Sequence, residues 1–261
     1  MIEVRHLTRT YLSRRSPKSK EPFVSVNDVS FSLLENTPYA LVGESGSGKS
    51  TLAMMLAAIL PPTNGEILLG GNNIWALSPK ELRLMHGEVQ LVLQNSQGAL
   101  DPRRRIYESI AEPLRKLRHL TRQEEQHTVH DILHKVQLQD DILMRFPSEL
   151  SGGQQSRVCI ARAMALAPRL VIFDESVSGL DVTVQKKVLD LLLNLRQEYQ
   201  STFLFITHDI DVALYMADHI FVMKEGKIVE SIPDAHGYDD FNHPYSRELI
   251  ESLPPKTPYN R

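Results

Sequence analysis

The sequence predicts an α/β protein with a core of buried strands, an antiparallel sheet near the N-terminus and a helical region inserted into the middle of the chain. Three observations carry that expectation. Residues 39–42 form a short apolar run that passes through a glycine-rich turn into a segment with Leu52, Met55, Leu56 and Ile59 spaced for one helix face, a strand-loop-helix unit. Leu170 to Phe173 and Thr202 to Ile206 are short β-prone runs, apolar as buried parallel strands are, and the segment between them places Val184, Val188, Leu191, Leu192 and Leu195 on one helical face. Residues 95–167, in contrast, carry no strong strand signal and read as helices.

Taken in order, residues 2–12 and 23–33 alternate apolar with polar side chains, the pattern of half-buried strands, and predict the small antiparallel sheet. Residues 13–22 between them are polar, rich in Lys and Arg and without apolar period, so they read as an exposed loop. Further on, Ser78-Pro79-Lys80-Glu81 sets an N-cap Ser, Pro at the first helical position and Glu at the third, and Thr121-Arg122-Gln123-Glu124 repeats the capping-box spacing. Both predict helix starts. The resulting division assigns 1–94 and 168–235 to a core that includes the antiparallel β region, 95–167 to a helical subdomain and 236–261 to a C-terminal tail.

Composition narrows the function. A chain of 261 residues, 42% apolar and 23% charged, can bury one large core with a subdomain leaning on it. Its formal net charge of -3 gives no reason to expect a nucleic-acid ligand, since phosphate backbones recruit strongly basic surfaces. The single cysteine, Cys159, lies in an apolar helical pattern and reads as a small core residue in a reducing compartment. The longest apolar stretch, Leu52 to Leu60, is far too short to span a bilayer, and the N-terminal residues alternate where an export signal needs an apolar core. A cytoplasmic protein is expected.

Gly43-Glu44-Ser45-Gly46-Ser47-Gly48-Lys49-Ser50 matches G-x-x-x-x-G-K-[ST] between a predicted strand and a predicted helix, the context that makes this spacing a phosphate-binding P-loop. Glycines let the backbone wrap a phosphate with its N–H groups inward, and the following helix, running on through Thr51, adds its positive end. Lys49 supplies a point charge for the β and γ phosphates, and the Ser50 hydroxyl is placed to ligate Mg²⁺. Asp174 and Glu175 close the apolar run 170–173, where a sheet would present acids beside a P-loop. Asp174 is expected to hold Mg²⁺ through water and Glu175 to face the attacking water as general base. The ligand expected is therefore ATP with Mg²⁺.

Leu150-Ser151-Gly152-Gly153-Gln154 resembles the signature sequence of ABC ATPases, and the family's other motifs follow in the family's order. Gln94 resembles the Q-loop glutamine, which the resemblance places at the metal and the attacking water. Ser178-Gly179-Leu180-Asp181 resembles the D-loop, His208 the switch histidine, and Tyr11 the aromatic that stacks on adenine, with Phe23 as an alternative. The resemblance covers essentially the whole chain and implies a P-loop NTPase core of RecA-like type. In the family, the second anion site made by Ser151, Gly152 and Gly153 closes over the γ-phosphate bound by another subunit, so two chains sandwich two ATP molecules; the resemblance also counts Gln154 and Asp181 among the nucleotide-binding residues. The physical basis is a second helix start whose N–H groups form an anion site.

Among ABC proteins, the modest stretch between Gln94 and Ser151 and the absence of a membrane half resemble the detached subunits of bacterial importers. Asn242-His243-Pro244-Tyr245-Ser246-Arg247-Glu248-Leu249 and Leu100-Asp101-Pro102-Arg103 look like the branch serving oligopeptide, dipeptide and nickel importers. That implies a partner ATPase subunit, identical or paralogous, two membrane permease subunits, an extracytoplasmic binding protein acting indirectly, and a place on the cytoplasmic face of the inner membrane. A soluble ABC ATPase acting on nucleic acid or the ribosome is the alternative; a P-loop kinase leaves the signature unexplained. Ser176 and Gly179 depart from the family's usual Pro and Ala. His127, His130 and His134 share a helix face and are read as a solvated polar surface rather than a metal site.

Overall fold

The computed structural model describes residues 1–12, 22–93, 96–176 and 181–253, with the backbone alone at 96 and 97. By internal contact the chain forms two compact units, Met1–Leu77 with Leu204–Arg261, and Ser78–Phe203.

The first unit opens with β1 (Ile2–Leu12), β2 (Pro22–Leu33), β3 (Pro38–Val42), α1 (Lys49–Leu56), β4 (Asn64–Leu69) and β5 (Asn72–Asn73). The period-two alternation becomes an antiparallel sheet in the order β2-β1-β4-β5, with Ile2 opposite Leu33 and Leu69, and Val4 opposite Phe31 and Ile67. Ile2, Val4, Leu7, Val26, Val29, Leu33 and Ile67 are buried on it. β3 is buried at all five positions, as its unbroken apolar run requires. α1 is shorter than the apolar spacing predicts. Leu52, Met55 and Leu56 are buried, but the helix stops at Leu56, Ala58 takes a φ of 53°, and Ile59 is 59% exposed. The left-handed residue turns the chain off the helical path before Ile59 can join that face.

The second unit carries α2 (Pro79–Glu88), β6 (Val89–Leu93), α3 (Ser96–Ala99), α4 (Ile106–Leu117), α5 (Arg122–Lys135), α6 (Gly152–Met164), β7 (Leu170–Asp174) and α7 (Val182–Tyr199); β8 (Thr202–Thr207) then leads the chain back to the first. Both capping boxes form, Ser78 with Glu81 and Thr121 with Glu124. Hydrogen bonds from Ser78 and from Thr121 hold the two glutamate carboxyls below their ordinary range. β6 pairs in parallel with β7, Val89 opposite Leu170 and Leu93 opposite Asp174. On α7, Val188, Leu191, Leu192 and Leu195 are buried together with Leu189, whereas Val184 is only half-buried. Cys159 is a core residue of α6, and burial raises its thiol pKa.

Back in the first unit follow α8 (Ile210–Met216), β9 (His219–Lys224), β10 (Lys227–Ile232) and α9 (Pro244–Glu251). Here β10, β9, β3 and β8 lie side by side in that order. β9 runs parallel to β3 with Leu41 opposite Phe221, and antiparallel to β10. Among the described residues no helix is long and apolar enough to cross a membrane.

Candidate functional site: two glycine-rich helix starts

β3 delivers the chain, fully buried, to the phosphate loop, where Gly43, Gly46 and Gly48 have φ of 152°, 83° and 108°. At two of them the space is also closed. A Cβ on Gly43 would lie 2.2 Å from the Met223 carbonyl oxygen, and one on Gly48 would lie 2.2 Å from that of Ser25. Gly48 is the N-cap of α1, and no side chain caps that helix. The Lys49 side chain is buried, with Nζ donating to Gly43 O at 2.6 Å, Glu44 O at 2.7 Å and Ser47 Oγ at 3.4 Å. The loop is braced from behind, since the Gly226 N–H donates to Ser47 O at 2.9 Å and the Ser25 hydroxyl to Thr51 Oγ1 at 2.9 Å. Ser45, Gly46 and Ser50 remain exposed. A buried ammonium, an uncapped helix start and an open glycine loop together form a site for a polyanion.

In the second unit, β7 is buried at every position and ends in Asp174, itself 8% exposed. Glu175 follows with a φ of 47° and is half-buried, so the backbone turns sharply at the carboxylate; Ser176 is buried behind it. The Asp174 carboxylate in this unit, and separately the Ser50 hydroxyl in the first, are hard oxygen donors of the type Mg²⁺ takes.

Ser151 is the N-cap of α6. Its Oγ accepts the Gln154 N–H at 3.3 Å while Gln154 Oε1 accepts the Ser151 N–H at 2.9 Å. This helix start borders a cleft of about 560 Å³. Ser151, Gly152, Gly153 and Gln154 line it together with Asp181, which caps α7 by accepting the Val184 N–H at 3.0 Å. Val184, expected on the core face of α7, lines the cleft instead, and a Cβ on Gly153 would come within 2.9 Å of its Cγ1. At the first turn of α7 a side chain faces the neighbouring helix start before the core stripe begins. Gln137, Leu138 and Arg157 complete the wall, Arg157 donating to Gln137 O at 3.3 Å. Sequence reading missed them as site residues; Arg157 alone had a signal, as a cation on the signature helix.

His208 follows β8 in an exposed position, and Asp209 behind it caps α8. Tyr11 is half-buried in β1 and pairs in register with Phe23, which is 58% exposed; the Arg9 guanidinium lies 4.8 Å from the Tyr11 ring centroid. Gln94 and the D-loop residues Ser178, Gly179 and Leu180 lie outside the described residues, as does the basic loop up to residue 21. On α5, His130 Nδ1 and His134 Nε2 both approach Asp140 Oδ1, at 2.9 and 3.0 Å, and His127 is exposed. Among the described residues no group of three or more His, Cys, Asp or Glu could hold a metal ion.

Phosphate loop, acid-tipped strand and glycine-started signature helix define an ATP-hydrolysing cassette of the P-loop class. Residues 26–178 match the family model described as ABC transporter. Over 255 residues the chain is 37% identical to the di/tripeptide transport ATP-binding protein DppF of Pseudomonas aeruginosa (strain UCBPP-PA14), covering 97% of this chain and 79% of DppF. Over 258 residues it is 38% identical to the nickel import ATP-binding protein NikE of Brucella abortus (strain 2308), covering 99% of this chain and 97% of NikE. It is similar in structure to the ATP-binding cassette MJ0796, solved as a dimer in a post-hydrolysis state bound to ADP and Pi. The TM-score there is 0.79 at 28% identity, over 90% of this chain and 99% of that one. The chain belongs to the ABC transporter family.

Proposed function

We propose that this chain is the ATPase subunit of an importer for peptides or for nickel and metal chelates. Two such subunits, identical or paralogous, would drive two separate membrane-spanning subunits from the cytoplasmic face of the inner membrane, with an extracytoplasmic binding protein delivering the solute. The cargo reading rests on similarity to DppF and NikE. The observation that carries the mechanism is the signature cleft: one P-loop suffices to hold one ATP, yet a second glycine-rich helix start borders an open cleft with Asp181 on its wall. Such a start suits the γ-phosphate of a nucleotide held by a partner chain.

In this scheme Tyr11 stacks on adenine, the loop of residues 43–51 with its inward amides from Ser45 onward and the Lys49 ammonium hold the phosphates, and Ser50, Asp174 and Gln94 would hold Mg²⁺. Mg²⁺ supplies neutralisation of the charge on the β and γ phosphates. Glu175 accepts the proton of the attacking water, and His208 contacts the γ-phosphate from the end of β8. Ser151, Gly152, Gly153, Gln154 and Asp181 complete the partner's site. Mixed dimers test the sharing. Ser151→Arg and Lys49→Ala should each be inactive alone, whereas mixing them leaves one composite site intact and should restore part of the ATPase activity. Full activity of either variant as a demonstrated monomer would refute the shared site.

A further inference from the structure

The segment Asn242-His243-Pro244-Tyr245-Ser246 has no part in the scheme above, yet it is tied into the first unit at both ends. Glu230 of β10 accepts the N–H of Asn242 at 2.6 Å and that of His243 at 3.0 Å through Oε1, and the Ser246 hydroxyl through Oε2. Burial works against the charge of Glu230, but these hydrogen bonds outweigh it and keep the carboxyl below its ordinary range. Pro244 at the first helical position and His243 Nδ1, which accepts the Tyr245 N–H at 3.2 Å, start α9 at this point. The result turns Tyr245 inward, where it is 4% exposed, with Lys224 Nζ 4.3 Å from its ring centroid.

The Tyr245 hydroxyl accepts the backbone N–H of Glu44 at 3.2 Å. That amide belongs to the Gly43–Glu44 peptide group, and the carbonyl of the same group, Gly43 O, receives Lys49 Nζ at 2.6 Å. One peptide plane is therefore held at its carbonyl by the lysine of the phosphate loop and at its amide by a residue 201 positions away. Gly43 leaves this peptide free to rotate as far as its own side chain is concerned, so the orientation depends on these outside contacts.

We propose that Tyr245 is a positioning residue of the nucleotide site: its hydroxyl sets the Gly43–Glu44 peptide and, through that peptide's carbonyl, the place where the Lys49 ammonium waits for ATP. The inference rests on the ATP-binding reading given above. Without the hydroxyl the peptide is ordered only when ATP arrives, so binding weakens while the chemical step, which uses other groups, is unaffected. Tyr245→Phe removes the hydroxyl and keeps the buried ring. In the full-length chain it should raise the Kd and the KM for MgATP about threefold to tenfold, the scale of one hydrogen bond, with kcat within twofold of wild type. Ser231→Ala removes a hydroxyl bonded to His219 in the same sheet and should leave KM unchanged. Lys224→Gln, which spares the hydroxyl, should stay near wild type. Equal MgATP affinity in Tyr245→Phe and wild type overturns the proposal, as does a fall in kcat at unchanged KM. So does unfolding of the nucleotide-free Tyr245→Phe variant in a melting experiment, which would make the hydroxyl a stability element. Failure of the wild-type chain itself to bind MgATP would instead sink the ATP-binding reading, and this inference with it.

Discussion

α1 and α6 both begin at glycine-rich turns, and their first turns are completed in opposite ways. Every α-helix leaves four N–H groups at its start without partners in the helix. α6 provides for its own: Ser151 and Gln154 exchange two hydrogen bonds, and Ser151 has the extended backbone of an ordinary N-cap. α1 has no side-chain cap, and its N-cap Gly48 sits at a φ of 108° that other residues avoid. The surroundings differ in the same sense. Backbone closes on Gly48, with Ser25 O 2.2 Å from where a Cβ would stand, whereas nothing lies within 4 Å of that place on Gly152. The contrast separates an uncapped helix start, built into the packing of its unit, from one that caps itself and stands open; in the proposed scheme the first holds the chain's own nucleotide and the second receives the partner's.

The largest effect expected from perturbing this pair comes from stopping hydrolysis. Glu175→Gln should keep MgATP binding and lower turnover by roughly 10²- to 10⁴-fold, the scale for loss of a general base. With ATP uncleaved, the self-capped start should stay filled by the partner's nucleotide, so dimers should accumulate in gel filtration with MgATP. Turnover within threefold of wild type would remove Glu175 from the role. Next in size is the matched substitution at the two starts. Gly48→Ala meets both a forbidden φ and a backbone oxygen, which should cost about 2 kcal/mol or more and reduce ATP affinity at least about tenfold. Gly152→Ala meets neither and should leave stability within about 0.5 kcal/mol. Comparable losses of melting temperature in both variants would erase the distinction. Smaller than the loss in Gly48→Ala is that of Ser151→Ala, which removes a cap worth about 1 kcal/mol. Thermal unfolding should register that loss while ATP affinity at the chain's own P-loop stays unchanged; a weaker affinity there would mean the two starts are not independent.

Elements whose signal is local could be read directly. The capping boxes at Ser78 and Thr121, the buried runs that became β7 and β8, and the alternation of β1 and β2 all appear where the residue pattern places them. Helical spacing was informative about the face and silent about the end: Ile59 has the right spacing for α1, but Ala58 leaves the helix first, and Val184 has the right spacing for α7 but faces Gly153. β4, β6, β9 and β10 went unassigned, since short runs such as VQLVL and HIFVMK cannot be told from buried helix by period alone, and no adjoining motif marks them as the phosphate loop marks β3 and the Asp-Glu pair marks β7.

The phosphate loop, the signature helix start and the carboxylates at the end of β7 were set by the sequence itself, because each depends on residues within a few positions of one another. Glycine φ, N-cap hydrogen bonds and the termination of an apolar run are short-range effects. Only the tertiary structure placed β9 beside β3, with Tyr39 opposite His219, and so brought Met223 O and the Gly226 turn against the loop. It alone joined Gln137, Ser151 and Asp181 around one cleft, and set the Tyr245 hydroxyl on the Glu44 amide. These contacts cross long stretches of chain, and what selects them is the burial of whole faces and the satisfaction of buried polar groups, which no local window of sequence contains.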